Sequence, residues 1–238
     1  MPNPTAAILI IGDEILSGRT HEGNGHWLAG ELNRRGIELR EIRVVTDEMD
    51  AISAALKSMT ETADHVFTSG GIGPTHDDIT ADAVAAFFGV SIDVREDARM
   101  ALAQNYPKGE ADLTPARLRM ARIPDGATLI DNPISHAPGF TIGNVHVMAG
   151  VPNIFRAMAQ NVLPSIPGGV PQQSLSVQFK GPESALADQL RQIAKDNPDV
   201  AIGSYPHVID GKFICDVVLR GPDSARLEQV AALVPTHV

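Results

Sequence analysis

The first half of the chain switches between two hydrophobic periods. Ala6 to Ile11 is an unbroken apolar run closed by Gly12, the pattern of a strand buried on both faces of a parallel sheet. From Gly25 to Arg35 the period becomes helical, with Leu28 and Leu32 on one face; Asn24 is placed to cap this helix and Gly36 to end it. Ile37 to Val45 reads as a second strand. A helix is expected from Asp47, because Ile52, Ala55, Leu56 and Met59 follow i, i+3, i+4, i+7 spacing. Asp64 to Ser69 contains a third strand, and Ile79, Ala83 and Phe87 sit four apart on the helix after it. Strand and helix thus alternate three times, which predicts an α/β fold with a mostly parallel sheet.

The later pattern is less regular. Residues 91–125 read as one or two helices, around 96–105 and 114–121, with a polar break between them. Residues 128–148 read as short strands and turns, and Pro152 starts another helix from its first turn. Leu163 to Pro171, LPSIPGGVP, is a linker by composition. Beyond it, strand, helix, two strands around Asp210-Gly211 and a last helix predict a small α+β unit. The expected domains are 1–168 and 172–238.

Composition narrows the chemistry. The net charge is −10 and no basic run is present, so non-specific nucleic-acid binding has no electrostatic basis. The single cysteine, Cys215, lies in a strand-like run and reads as a core thiol; no disulfide or cysteine metal site can be built from it. The N-terminal apolar run is too short for a signal peptide or a membrane span, and a cytoplasmic protein without membrane contact is expected. His21 and His26 are five apart and would not share a helix face. His76, His136 and His146 read as isolated surface or core histidines. There is no GxSxG nucleophile motif.

The chemically informative stretch is residues 69–80, SGGIGPTHDDIT, between the third strand and its helix. Gly70, Gly71 and Gly73 allow close backbone approach to an anion, and N–H groups at a helix start favour phosphate. Neither a Walker A lysine nor a GxGxxG spacing is present. Asp77 and Asp78 admit two readings. Either can be an ordinary helix cap. Alternatively, the pair can hold a divalent cation that reconciles carboxylates with phosphate, since Mg²⁺ is commonly bound by one or two carboxylates plus phosphate oxygens. Asp13 and Glu14 follow the first strand and Asp47 the second. In a parallel sheet these positions converge with the loop, although Asp47 can also be a cap and Asp13 and Glu14 plain loop surface.

These residues resemble the competence/damage-inducible protein A (CinA) family, within the MoaB/MogA molybdopterin-binding superfamily. The loop matches GG-x-GPT-x-DD-x-T. Gly12-Asp13-Glu14-Ile15-Leu16 with Gly18 and Asn24 matches GDEIL-x-G…N. Asp47 matches V-x-D, Asn132 with Ala137 to Phe140 matches N…APGF, and Gly150-Val151-Pro152 matches most of PGVP. The resemblance implies a three-layer α/β/α molybdopterin-binding fold followed by a small KH-like α+β domain, and a homo-oligomer. These residues include no counterpart of the amidohydrolase domain linked to nicotinamide mononucleotide deamidation, so that activity is not expected of them. Phe179 to Pro182 offers no GxxG loop, so no RNA binding is expected either.

By the same resemblance, the ligand is a nucleotide or pterin phosphate with Mg²⁺ or another divalent metal. Asp78 and Asp47 would be catalytic. Asp77, Asp78 and Glu14 would hold metal. Gly70, Gly71, Gly73, Pro74, Thr75, Gly12, Asn24, Gly139 and Gly150 would bind phosphate or nucleotide. The implied activity is metal-dependent cleavage of an ADP-ribose-type pyrophosphate; molybdopterin adenylylation and ligand binding without catalysis are the alternatives. The sequence departs from the family pattern at Glu22, Arg119, Ala149 and Asn153.

Overall fold

In the computed structural model, which describes residues 2–237, the apolar run becomes strand β1 (Thr5–Ile11) at the interior of a six-stranded sheet. Its side chains alternate between two cores. Ala7, Leu9 and Ile11 pack on one face; Ala6, Ile8 and Ile10 pack on the other. This is why the run shows no polar alternation.

A helical turn α1 (Asp13–Leu16), helix α2 (Asn24–Arg34), β2 (Glu38–Val45), α3 (Met49–Thr62), β3 (His65–Ser69) and α4 (Thr80–Phe88) follow. Next come β4 (Ile92–Val94), α5 (Glu96–Ala103), α6 (Pro115–Leu118) and β5 (Arg122–Pro124). The first unit closes with β6 (Thr128–Ile130), β7 (Gly139–Ile142), β8 (Val145–Met148) and α7 (Pro152–Val162). The sheet order is β2-β1-β3-β8-β7-β6. Strands β2, β1, β3 and β8 are mutually parallel; β7 pairs antiparallel with β8, and β6 pairs antiparallel with β7 and so runs in the direction of the first four. Helices α3 and α4 contribute Leu56, Met59 and Val84 to one core; α2 and α7 contribute Leu28, Leu32 and Phe155 to the other. Each such side chain, fully removed from water, stabilises the fold by roughly 1.5–3 kcal/mol. The result is the expected α/β architecture, with helices on both faces of a mostly parallel sheet.

Three local expectations are corrected. Helix α3 starts at Met49 after Glu48, so Asp47 stays in the preceding loop and does not cap it. Asn24 is the first residue of α2 and not its cap; Gly23 holds that position, and the Asn24 side chain bonds elsewhere. Residues 91–125 are not purely helical: β4 and β5 form a two-stranded antiparallel sheet joining the ends of that segment.

The chain divides into two units, the first ending at Gly169 and the second starting at Val170. The second comprises β9 (Gln173–Lys180), α8 (Glu183–Asp196), β10 (Ala201–Ile209), β11 (Lys212–Gly221) and α9 (Ser224–Ala231). Its antiparallel sheet has the order β10-β11-β9. Phe179, Leu186, Cys215, Val217 and Leu227 form its core, so Cys215 is a buried thiol as expected. Asp210 and Gly211 turn the β10–β11 hairpin with φ of 50° and 74°, the left-handed pair that a tight hairpin needs. Among the described residues no helix is long and apolar enough to cross a membrane.

Candidate functional site

Parallel strands deliver their carboxyl ends to one edge of the sheet, and the chain turns there four times. Gly12 follows β1, Asp47 follows β2, Gly70 follows β3 and Gly150 follows β8. These four border a single cleft of about 530 Å³. Its walls include apolar Ile11, Ile72, Met120, Ala149, Val151 and Ile154.

The glycine loop is sterically compelled. A Cβ on Gly70 would lie 2.2 Å from the Ile11 carbonyl oxygen, and one on Gly71 would lie 2.0 Å from Thr80 Oγ1. Both have positive φ, 108° and 70°. Thr80 then fastens the loop: its hydroxyl donates to the Gly70 carbonyl at 3.0 Å and its N–H to the Gly71 carbonyl at 2.9 Å. The Gly70 N–H is taken by the Met148 carbonyl at 3.1 Å. The N–H groups of Gly71, Ile72 and Gly73 have no acceptor among the described residues. Open N–H groups on a loop leading into a helix can receive an anion's oxygens.

Four carboxylates border the same cleft: Glu14, Asp47, Asp77 and Asp78. No lysine or arginine is among its described lining residues. Asp47 is held by the Asp13 N–H, which donates to Oδ2 at 3.0 Å. Partial burial pushes the Asp47 carboxyl above the usual carboxylate range. The Asp13 N–H opposes this, while the negative charges of Asp13, Glu14 and Asp77 add to the upward push. The cleft therefore gathers negative charge, with no lining lysine or arginine, around the open N–H groups of the loop.

Asp78 does not cap α4, whose N-cap is Ile79. Its Oδ2 accepts the Thr75 N–H at 2.8 Å and the Thr75 hydroxyl at 2.5 Å, bracing the loop from within. Among the described residues no three His, Cys, Asp or Glu side chains are gathered as a metal-ligand set, so Asp77, Asp78 and Glu14 are not a preformed trio. The chemistry of the donors still fits a cation completed by phosphate oxygens, because such a cation needs only one or two carboxylates from the protein.

Of the expected residues, Gly12, Glu14, Asp47, Gly70, Gly71, Gly73, Pro74, Asp77, Asp78 and Gly150 meet at the cleft. Three do not border it. Thr75 serves Asp78 from behind the loop. Gly139 lies in β7, where a Cβ would sit 2.2 Å from the Val147 carbonyl oxygen, so close strand packing requires it. Asn24 is buried and ties the sheet edge together: its Nδ2 donates to Ser69 Oγ at 2.9 Å and to the Gly150 carbonyl at 2.7 Å.

Several contributors carry little sequence signal. Arg119 donates from Nε to the Thr75 carbonyl at 3.1 Å and from its terminal nitrogen to the Asp78 carbonyl at 3.0 Å, clamping the loop from 41 residues away. Asn132, 1% exposed, shapes the opposite wall through bonds to Ser135, Ala137 and Ile134. Its place in an N…APGF segment was a usable signal; nothing marked Arg119 as a clamp.

A parallel-sheet edge with a glycine loop and clustered carboxylates defines an α/β protein with a cleft at the carboxyl ends of its strands. Residues 7–168 match the family model described as a probable molybdopterin binding domain, and residues 171–237 match that of the FAD synthase middle domain. The chain belongs to the first of these families and is CinA-like. A protein from Archaeoglobus fulgidus is 32% identical over 199 residues, covering 84% of each chain. A CinA-like protein from Anaeromyxobacter sp. is 35% identical over 237 residues, covering 95% of this chain but 58% of that one; the chain thus spans a little over half of this relative. The crystal structure of the protein CinA with unknown function from Thermoplasma acidophilum superposes with a TM-score of 0.64 at 36% identity, covering 69% of this chain and 99% of that one.

Proposed function

We propose that the cleft binds a nucleotide pyrophosphate of the ADP-ribose class and that the chain hydrolyses it with a divalent metal. The observation that carries this reading is the pairing of open N–H groups at Gly71 to Gly73 with four lining carboxylates and no lining cation. A phosphate placed there without a cation would be repelled by Glu14, Asp47, Asp77 and Asp78. Glu14, Asp77 and Asp78 are the side chains that would hold the metal; once bound it would neutralise phosphate charge and make an attacking water more acidic. Asp47, oriented by the Asp13 N–H, accepts the proton of that water. The water oxygen bonds to one phosphorus, the bridging P–O bond breaks, and the bridging oxygen leaves on the second phosphate. ADP-ribose would thus yield AMP and ribose phosphate. The glycine loop positions the phosphates and Arg119 keeps the loop in shape.

Incubation with ADP-ribose and Mg²⁺, Mn²⁺ or Co²⁺ should release AMP, and Asp78→Ala should not. Turnover no greater than in Asp78→Ala would defeat the hydrolytic reading. The apolar wall of Ile72, Met120, Ala137 and Ile154 also suits a flat pterin, and the family description points the same way. Under that second reading the chain binds molybdopterin, either to adenylylate it or without catalysis. Tight pterin binding with no nucleotide turnover would favour it.

A further inference from the structure

Two glycines of the cleft have no backbone reason to be glycine. Gly12 has a φ of 160°, extended backbone that any residue adopts, and Gly73 is not among the glycines with left-handed φ. Gly70 differs, since its missing Cβ would strike the main chain of Ile11. At Gly73 and Gly12 the three atoms nearest to the missing Cβ all belong to one carboxyl group. A Cβ on Gly73 would lie 2.6 Å from Asp78 Oδ2 and 2.9 Å from Oδ1. One on Gly12 would lie 2.6 Å from Glu14 Oε2 and 2.8 Å from Oε1. Both carboxylates border the cleft, and each occupies the place that any other residue's side chain would take.

The rest of the geometry gives these glycines no other task. The Gly12 N–H is taken by the Val45 carbonyl at 3.2 Å, so it has no donor to offer a phosphate. The Glu14 carboxylate enters no hydrogen bond or ion pair among the described residues, so its place against Gly12 depends on the space there. Asp78 is held more firmly: Thr75 binds its Oδ2 through the N–H and the hydroxyl, and Oδ1 keeps no hydrogen-bond partner among the described residues. Gly73 therefore sets a carboxylate with one open oxygen beside the open N–H groups of Gly71 to Gly73. That is the juxtaposition a cation shared between carboxylate and phosphate needs. We propose that Gly73 and Gly12 are positioning residues for the divalent metal, each leaving empty the space into which a metal-holding carboxylate folds. The inference rests on the metal reading above, and it assigns to these two glycines the seating of Asp78 and Glu14 in place of direct contact with phosphate.

Mn²⁺ uptake by the whole chain, followed by electron paramagnetic resonance with and without ADP-ribose, tests this. Gly73→Ala and Gly12→Ala should each weaken Mn²⁺ binding about 10- to 100-fold, the scale for groups that orient metal ligands. Both variants should stay folded in urea titrations, because what must give way is the end of a side chain. A variant that does not fold would show that main chain resists the added Cβ, and would overturn the seat at that glycine. The losses should also depend on the carboxylates. Gly73→Ala should cost no further Mn²⁺ affinity in an Asp78→Asn background, nor Gly12→Ala in a Glu14→Gln background; losses that simply add would overturn the proposal. Wild-type affinity in both single variants would overturn the seats and leave the metal reading standing. No Mn²⁺ binding by the wild type, with or without ADP-ribose, would overturn this inference together with the metal reading.

Discussion

The two units treat glycine and carboxylate residues in opposite ways. In the second unit Gly211 turns a hairpin with nothing within 4 Å of where its Cβ would be. Asp199 is paired with Arg226 at 2.7 and 3.0 Å, and Asp223 accepts the Ala225 N–H as an N-cap. In the first unit Gly70 and Gly71 are wedged against Ile11 and Thr80, and four carboxylates share a cleft without a lining cation. Local rules are satisfied at these positions of the second unit. They are broken at the edge that the proposed function uses, where stability would be given up for binding.

The contrast can be broken most forcefully at the glycines. Gly71→Ala should abolish ligand binding and destabilise the first unit by about 2–4 kcal/mol, since backbone and Thr80 must move. Gly211→Ala should cost about 1 kcal/mol, the backbone strain alone, and leave binding intact. Urea unfolding and calorimetry on the two variants check this; equal losses would erase the distinction between a forced loop and a free turn.

Carboxylates give the next largest effect. Asp47→Asn should lower turnover of ADP-ribose at least about 100-fold, the scale of one general base. The ligand-free protein should melt no lower than wild type, because one member of a repelling set is removed while the amide oxygen still accepts the Asp13 N–H. Asp199→Asn should instead leave the melting temperature close to wild type, as expected for a fully exposed ion pair, with turnover unchanged. Thermal melts with and without ligand would expose a reversal of this pattern.

A third effect separates the units by pH. His146 is buried in β8, where Nδ1 lies 3.0 Å from Thr141 Oγ1 and Nε2 lies 3.2 Å from His65 Nδ1. Burial, reinforced by His65, pushes its pKa down to about 4. The unfolded chain therefore binds the proton first. This contribution to stability is complete above about pH 6.5 and is lost as pH falls from there to about 4. The first unit should lose denaturant resistance across that window more steeply than the second; a His146→Phe variant with an unchanged slope would remove His146 as the cause. The smallest change is expected for Arg119→Lys, which cannot reach both loop carbonyls as a fork does. It should weaken nucleotide binding by a few-fold and leave the unfolding midpoint of the first unit close to wild type.

The sequence by itself was enough for the alternation of β1 through α4, the small βαββα unit and the loop as a phosphate candidate. Those features are local: unbroken apolar runs, helical spacing and clustered glycines report on neighbours a few residues away. The β4–β5 pairing escaped it, because strands of three residues, 30 apart, leave almost no periodic trace. So did the partners of individual polar groups. Asn24 and Asp47 both look like helix caps in sequence, yet one bonds Ser69 and Gly150 and the other bonds Asp13. His146 looked isolated until the pairing of β3 with β8 placed it against His65. Which residue types gather at an edge follows from the order of strands along the chain. Which atom bonds which, and which buried oxygen is left over, is decided only when distant segments pack, because hydrogen bonds depend on tenths of an ångström that no spacing along a chain encodes.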